Sequence, residues 1–508
     1  MWTHATVATA NAFAKPNRGA RPFFFLSMAY SFREYLPYYK RNLRVAFPVM
    51  LTQMGAALVG LFDSIMVGHY STADLAAVSF SNALFFTVMV FAMGAMMGIT
   101  PLVGHEVGRI EKARNEVWSD PDEQQRYVAE KHLRISSFFA NGMVFMLLMT
   151  LLSLLLLAPC IPFLERFGQE PEVIACARPY YILIVVSILP FLLFCFFKQF
   201  LEGLGNTVVA MVITLGCNLL NILLNWVFIY GHWGFPAMGA EGAGWATLIA
   251  RALMPLCFLI VMAAKADWRR YLVAARRWLV TRTEVEHLLV IGTPIGLQTF
   301  AEAFLFTASF VIIGWISKEA LAAHHIANQM CDLTFMLAQG IGAATTIRVS
   351  HQLGKGDLRA VRMAGNASIH LCLVLYSVGA AIMFFFRHQI PYIFSNDPEV
   401  AQIASLLLIY GALFQYADGL QCIGAAMLRG IQDVRVPMRI ALFAYIAVAL
   451  PLGVYLTFYY PLPLREGAGL GPSGMWIAYV IALAIPALLY HIRFNRQYKQ
   501  LKNKRLND

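Results

Sequence analysis

The sequence predicts an all-α membrane protein with twelve transmembrane helices, arranged as two parallel six-helix bundles related by a pseudo-two-fold axis along the membrane normal. Three observations predict it. Of the 508 residues, 59% are hydrophobic and only 13% charged, a balance far too apolar for a soluble globular chain. The chain also offers twelve runs of about 20 mostly apolar residues, the length that crosses a bilayer core about 30 Å thick. Finally, a stretch of about sixty residues occurs twice without a gap, 246 positions apart, and a repeat of that length sets an architecture.

The apolar runs, spans one to twelve in chain order, lie at 44–66, 78–104, 132–158, 173–201, 208–231, 243–264, 288–315, 321–347, 366–386, 399–428, 437–459 and 473–492. In the repeat, Pro294 falls on Pro48, Gly314 on Gly68, Leu321-Ala322-Ala323 on Leu75-Ala76-Ala77 and Asn328 on Asn82. The register continues with Gly340 on Gly94, Thr346 on Thr100, His351 on His105, Gly354 on Gly108 and Lys355 on Arg109. A second offset, 227, matches Leu201-Glu202-Gly203 with Leu428-Arg429-Gly430 and Met211 with Met438, so the duplication reaches past the opening pair of spans. Six spans per copy is an even number. Consecutive copies therefore enter the membrane from the same side, and a cleft between two such bundles is where a substrate is expected.

Residues 1–43 read as an N-terminal extension and interfacial segment. Within it, 1–27 are expected to be disordered with Met28 as an alternative start, and 30–43 to be an amphipathic stretch lying at the inner surface, with Tyr38 and Tyr39 beside Lys40 and Arg41. Residues 44–264 form a first lobe of six spans, 265–287 a basic cytoplasmic linker, 288–492 a second lobe of six spans, and 493–508 a basic cytoplasmic tail. The formal charge of +11 is a topology signal rather than a nucleic-acid footprint. Basic residues such as Arg44, Arg134, Arg276, Arg277, Arg282, Arg359 and Arg439 crowd alternate loops, whereas the opposite loops carry only Arg166, Arg178, Lys318, Arg387 and Arg465. That asymmetry puts both termini in the cytoplasm and no nucleic acid among the partners.

Span one carries Gln53, Asp63 and Ser64, with Asp63 in its outer half. Span two reads as ending at Gly108 followed by Arg109, a helix-stopping glycine with Gly354 and Lys355 as its twin, and 109–131 as a charged linker. Cys160 and Cys176 both fall near the loop between spans three and four. A disulfide there competes with the favoured reading of two small apolar residues at helix ends. Asn218, Asn221 and Asn225 share one face of span five, as helix-packing polar residues or as substrate contacts. Arg251 lies inside span six, either paired with an acid of the first bundle or snorkelling from a helix end. His324 and His325, at the start of span eight, read as structural.

Acids break the repeat. Glu302 falls on Ala56 and Asp63 on Ser309, so the shared frame does not require them. A charged side chain in the bilayer centre costs about 2.5–3.5 kcal/mol on insertion scales and therefore needs a cavity, a partner or a proton. Glu302 in span seven and Asp418 in span ten come out at similar mid-membrane depth. Together they could hold one shared proton or one Na+ and exchange it with water when the cleft opens. The competing reading has them merely tying helices together. Phe300, Phe304, Phe306, Phe310, Phe335 and Phe414 neighbour the two acids in sequence, and any that line the cleft would attract flat cations.

These residues resemble a family. The Pro48 to Asp63 segment, the Leu-Ala-Ala turn, Leu321-Ala-Ala-His-His-Ile-Ala-Asn328, Asp418-Gly-Leu-Gln421 and Leu428-Arg-Gly430 are together similar to the multidrug and toxic compound extrusion (MATE) transporters, specifically the NorM-like branch, over roughly 40–495. The resemblance implies cation coupling at Asp63, Glu302 and Asp418; if the coupling ion is Na+ rather than H+, Glu302 and Asp418 are where it would be held. It also implies efflux of cationic amphipathic drugs or toxins in exchange for Na+ or H+, from a monomer in the inner or plasma membrane, with no cofactor and no enzymatic activity. Candidate cleft residues are Asn221, Asn225, Gln298, Phe306, Phe414 and Gln421. Asn225 stands where the DinF-like branch has a second aspartate, and Phe414 where the NorM-like branch often has tyrosine. Two rival readings remain: a flippase of lipid-linked oligosaccharide from the same superfamily, and an intramembrane aspartyl protease. The first would need a basic cleft, and the second a G-x-G-D stretch, where Asp418 is preceded by Gln-Tyr-Ala. No Walker A pattern is present to drive an ATP pump.

Overall fold

The computed structural model describes residues 31–275, 280–460 and 469–507. The extension 1–27, Arg276, Arg277 and Arg465 lie outside the described residues. Among the described residues ten helices are long and apolar enough to cross a membrane, and the pair Pro171–Val186 and Ile188–Gly203, bent by 41° at Ser187, forms one more span. The twelfth is Lys318–Lys355, 38 residues long, whose His324, His325, Asn328, Gln329 and Gln339 lower its hydropathy while its length suffices to cross.

Several boundaries differ from those the sequence predicts. Residues 32–43 are not a separate surface segment, because span one is a single helix, Phe32–Tyr70. Its first turns are fastened to span nine, Leu358–Phe385: Tyr39 Oη meets His370 Nδ1 at 2.7 Å, and Asn42 donates to the Ala364 carbonyl and the Ser368 hydroxyl at 2.9 Å each. Gly108 does not stop span two. After a break at Met97 and Gly98 the helix Ile99–Asn115 runs straight through it, and span three begins at Pro121, so the supposed linker 109–131 is mostly helix. Gly354 is likewise inside its helix, which ends one residue later at Lys355 and is capped by Gly356 in the left-handed region, φ 74°. The basic stretch 265–287 is also largely helical, with Ala266–Ala275 followed by span seven, Arg282–Gly314. The C-terminal tail continues span twelve, Pro472–Asn507. Cys160 and Cys176 are both free thiols.

Gly108 and Gly354 are glycines because two helices cross there. A Cβ on Gly108 would collide with the His351 carbonyl, and one on Gly354 with the His105 carbonyl. Each contact is the other's twin under the offset of 246, so the pseudo-two-fold axis passes between them. The same symmetry relates two further approaches: a Cβ on Gly94 would lie 3.0 Å from Gly296 Cα, and one on Gly340 2.9 Å from Met50 N.

All these approaches lie toward the end of the molecule that carries the basic loops. Polar links reinforce them there. Lys355 Nζ pairs with Glu111 Oε2 at 2.6 Å, His351 Nε2 meets the Gly203 carbonyl at 2.9 Å, and Lys198 donates to Gln53, which donates to Gln339 at 2.7 Å. Among the described residues no hydrogen bond joins the halves beyond Gln53. On the face of span one that meets Gly340 at Met50, the next turns present Met54, Leu58, Leu61 and Ile65, all exposed. Leu58 and Ile65 have Phe304 and Val311 as exposed twins in the other half. The halves are thus closed at the basic end and splayed at the other, with a cleft between them.

Candidate functional site

Span seven brings Glu302, and span ten, Pro398–Gly430, brings Asp418 and Gln421, one turn apart on a shared face. The Gln421 amide joins the two acids, its Nε2 donating to Glu302 Oε1 at 2.7 Å and to Asp418 Oδ1 at 3.3 Å. Two tyrosines complete the network. Tyr376 of span nine donates to Asp418 Oδ2 at 2.8 Å, and Tyr445 of span eleven donates to Gln421 Oε1 at 3.1 Å. Tyr376 reaches Asp418 because the next residue is Gly419, where a Cβ would run into its ring. Tyr445 enters from a π-helical stretch, Phe443–Ala449, beside Pro451, where proline's missing N–H already loosens the helix.

Asp418 and Gln421 are buried and Glu302 is partly exposed. No basic side chain forms an ion pair with either acid among the described residues, though the field of Arg429 reaches Glu302. The niche offers five oxygen-bearing groups: two carboxylates, one amide and two hydroxyls. With the amide nitrogen turned toward both acids, its N–H bonds stand where a cation's charge would otherwise lie.

Gln298 is buried one turn below Glu302 and bonds neither acid. Phe306 and Phe414 belong to an aromatic cluster inside the second half: Phe306 packs on Tyr479 at 5.3 Å and on Phe414 at 6.0 Å, and Phe414 packs on Trp476 at 5.8 Å. Phe414 is buried and Phe306 partly exposed. His324 anchors that cluster. Its Nδ1 accepts from Trp476 Nε1 at 3.1 Å, which leaves Nε2 as the protonated nitrogen facing Ser309 Oγ at 3.2 Å.

Asp63 lies in the other half. It accepts a hydrogen bond from Asn225, which also donates to Asn221 Oδ1 at 3.3 Å. Both asparagines are buried. Arg251 is not at a helix end but midway along Gly239–Ala264. Its guanidinium sits 4.8 Å from the ring centres of both Phe85 and Phe191 and donates to Ser187 Oγ at 2.7 Å, at the bend of span four. Its field reaches Asp63.

Sequence reasoning missed Tyr376, Tyr445 and Asp332. A tyrosine in an apolar run carries no signal of its own. Asp332 does, because it is an acid inside a span, partly exposed on span eight, with its Oδ2 accepting from Asn328 at 3.2 Å.

The sequence profile of the MatE family matches residues 48–116, 124–227 and 294–455, and its first and last segments begin on the twin prolines Pro48 and Pro294. Multidrug resistance protein PmpM of Pseudomonas aeruginosa is 31% identical over 480 residues, covering 92% of this chain and 94% of that protein. A probable multidrug resistance protein NorM of Rhizobium meliloti is 30% identical over 481 residues, covering 94% and 97%. In three dimensions the chain superposes on a crystal structure of MATE in the bent conformation with a TM-score of 0.78 at 18% identity, covering 92% and 97% of the two chains. For the eukaryotic MATE transporter AtDTX14 the TM-score is 0.74 at 16% identity, with 92% and 99% covered. A profile matched along both repeats, relatives alike from end to end, and a shared twelve-helix fold leave one assignment: the chain belongs to the MatE family.

Proposed function

We propose that this protein is a secondary antiporter that exports cationic amphipathic compounds in exchange for Na+ or H+ by alternating access of its two six-span lobes, 44–264 and 288–492. On this reading it acts as a monomer in the inner or plasma membrane, with both termini and the closed, basic end in the cytoplasm. The observation that carries the reading is the Glu302–Gln421–Asp418 unit: two acids tied by one amide inside the second half, without a fixed cation in contact. Such a unit is an ion-exchange group, because a proton or Na+ entering from the open side can replace the amide N–H bonds if the amide turns its oxygen inward. The multidrug resistance names of its relatives support a drug substrate.

In the cycle, the ion binds while the cleft faces out and lowers the site's negative charge. The cationic compound then leaves, the lobes rock, and the ion is shed on the other side. Differential affinity of ion and compound for the two states drives the exchange. The flippase reading draws less support, since the basic groups near the cleft are engaged: Arg251 between two rings and Lys198 on Gln53.

The test is dye efflux from energised vesicles with Na+ and pH gradients imposed separately. Glu302→Gln and Asp418→Asn are each expected to abolish gradient-driven efflux. Unaltered efflux in both variants would remove the mechanism.

A further inference from the structure

We propose that Asp332 receives the positive charge of the exported compound, as an anionic station separate from the Glu302–Gln421–Asp418 unit and electrostatically linked to it. The proposal rests on the antiport reading above and names the group that holds the substrate.

Its position is the first argument. Gln339 of span eight crosses to Gln53 of the other half at 2.7 Å. Seven residues, two turns or about 10 Å, farther up the same helix face stands Asp332, beside the exposed Leu333. The face that seals the halves below therefore presents a carboxylate to the cleft above. Asn328 holds one carboxylate oxygen, and no basic side chain pairs with the acid among the described residues. A partly exposed carboxylate at this depth needs a cavity, a partner or a proton, and a cationic compound would supply the partner.

The repeat gives the second argument. Asn328 has Asn82 as its twin, whereas the twin of Asp332 is Phe86. Like Glu302 and Asp63, this acid is an addition to the duplicated frame.

Its surroundings give the third. The Tyr479 hydroxyl is buried beside Ser309 and lies within the field of Asp332. The ring that carries it packs on the partly exposed Phe306. An acid beside a partly exposed aromatic ring suits a flat aromatic monocation.

The field of Asp332 reaches Asp418. A cation bound at Glu302 and Asp418 weakens the field at Asp332, so the ion can expel the compound without competing for the same oxygens. Ion and substrate then need not share a ligand.

The experiment measures binding of N-methylacridinium, a permanent flat monocation, and of acridine kept uncharged at alkaline pH, to the purified full-length protein. Asp332→Asn is expected to weaken N-methylacridinium by at least about tenfold while acridine binding stays as in wild type, and Asp332→Glu to restore the cation. Glu302→Gln should still bind the cation but no longer release it on adding Na+ or acid. Equal affinity of wild type and Asp332→Asn for the cation overturns the assignment, as does equal loss of both dyes, which marks a structural role. A wild type that binds the cation no better than acridine sinks the antiport reading itself.

Discussion

Gly108 of span two and Gly354 of span eight meet on the pseudo-two-fold axis, each occupying space that a side chain on the other would need. The contact is made of backbone, so a methyl group there cannot be absorbed by a rotamer change. Gly354→Ala should destabilise the closed basic end by about 1–3 kcal/mol, the usual penalty of overpacking, and shift the population toward the opposite opening. The readout is labelling of a cysteine placed at Leu61, in a background without native cysteines, by a thiol reagent that cannot cross the membrane. Labelling from the splayed side should fall, and unchanged labelling would show that the crossing does not gate the cleft.

Beside that crossing, Lys355 and Glu111 form a latch between the halves at 2.6 Å, with both side chains partly exposed. An exposed pair contributes about 0–1 kcal/mol, so Glu111→Lys should change the same labelling by a few fold at low ionic strength and less at high salt. Adding Lys355→Glu to it should restore the wild-type value. A double variant no better than the single one would mean that the pair is incidental.

Gln421 is the centre of the proposed ion site, since its nitrogen serves both acids and its oxygen accepts from Tyr445. Gln421→Leu should leave the two carboxylates facing each other unbridged and lower gradient-driven efflux more than Tyr445→Phe, which removes only one bond of about 0.5–1.5 kcal/mol. Tyr376→Phe should slow efflux in the wild type. In an Asp418→Asn background it should add little to a defect already complete, because its partner is gone. Wild-type efflux in Tyr376→Phe would separate Tyr376 from the acid it touches.

The sequence made the repeat legible because punctuating glycines and prolines hold one register, and it made Glu302 and Asp418 legible because charge in an apolar run is costly. The same rule applies to Asp332, an acid inside span eight. Tyr376 and Tyr445 were not legible: their role depends on spans nine and eleven packing beside span ten, which no local pattern states. Gly108 and Gly354 were misread for a physical reason. A glycine that lets helices cross and a glycine that ends one look alike in sequence, and only the positive φ of Gly356 distinguishes the true terminus. Arg251 looked peripheral because its anchors, Phe85 and Phe191, lie on two other helices.

Arg251 also marks a place where the halves diverge. Aligning Trp245 with Trp476 and Pro255 with Pro486, a shift of 231, puts Arg251 on Ala482, and the earlier shift of 227 puts Phe191 on Asp418. The first half thus holds a base between aromatic rings where the second half holds acid. Stacking of a desolvated guanidinium on a ring is worth roughly 2 kcal/mol, and Lys cannot reproduce its planar fork. Removing the charge also leaves Asp63 without the guanidinium whose field reaches it. Thermal unfolding in detergent should therefore rank wild type above Arg251→Lys, and Arg251→Lys above Arg251→Met. Adding Asp63→Asn to Arg251→Met should recover part of the loss, because the stranded carboxylate is gone. If Arg251→Met melts with wild type, the guanidinium is not what holds the bend of span four at Ser187.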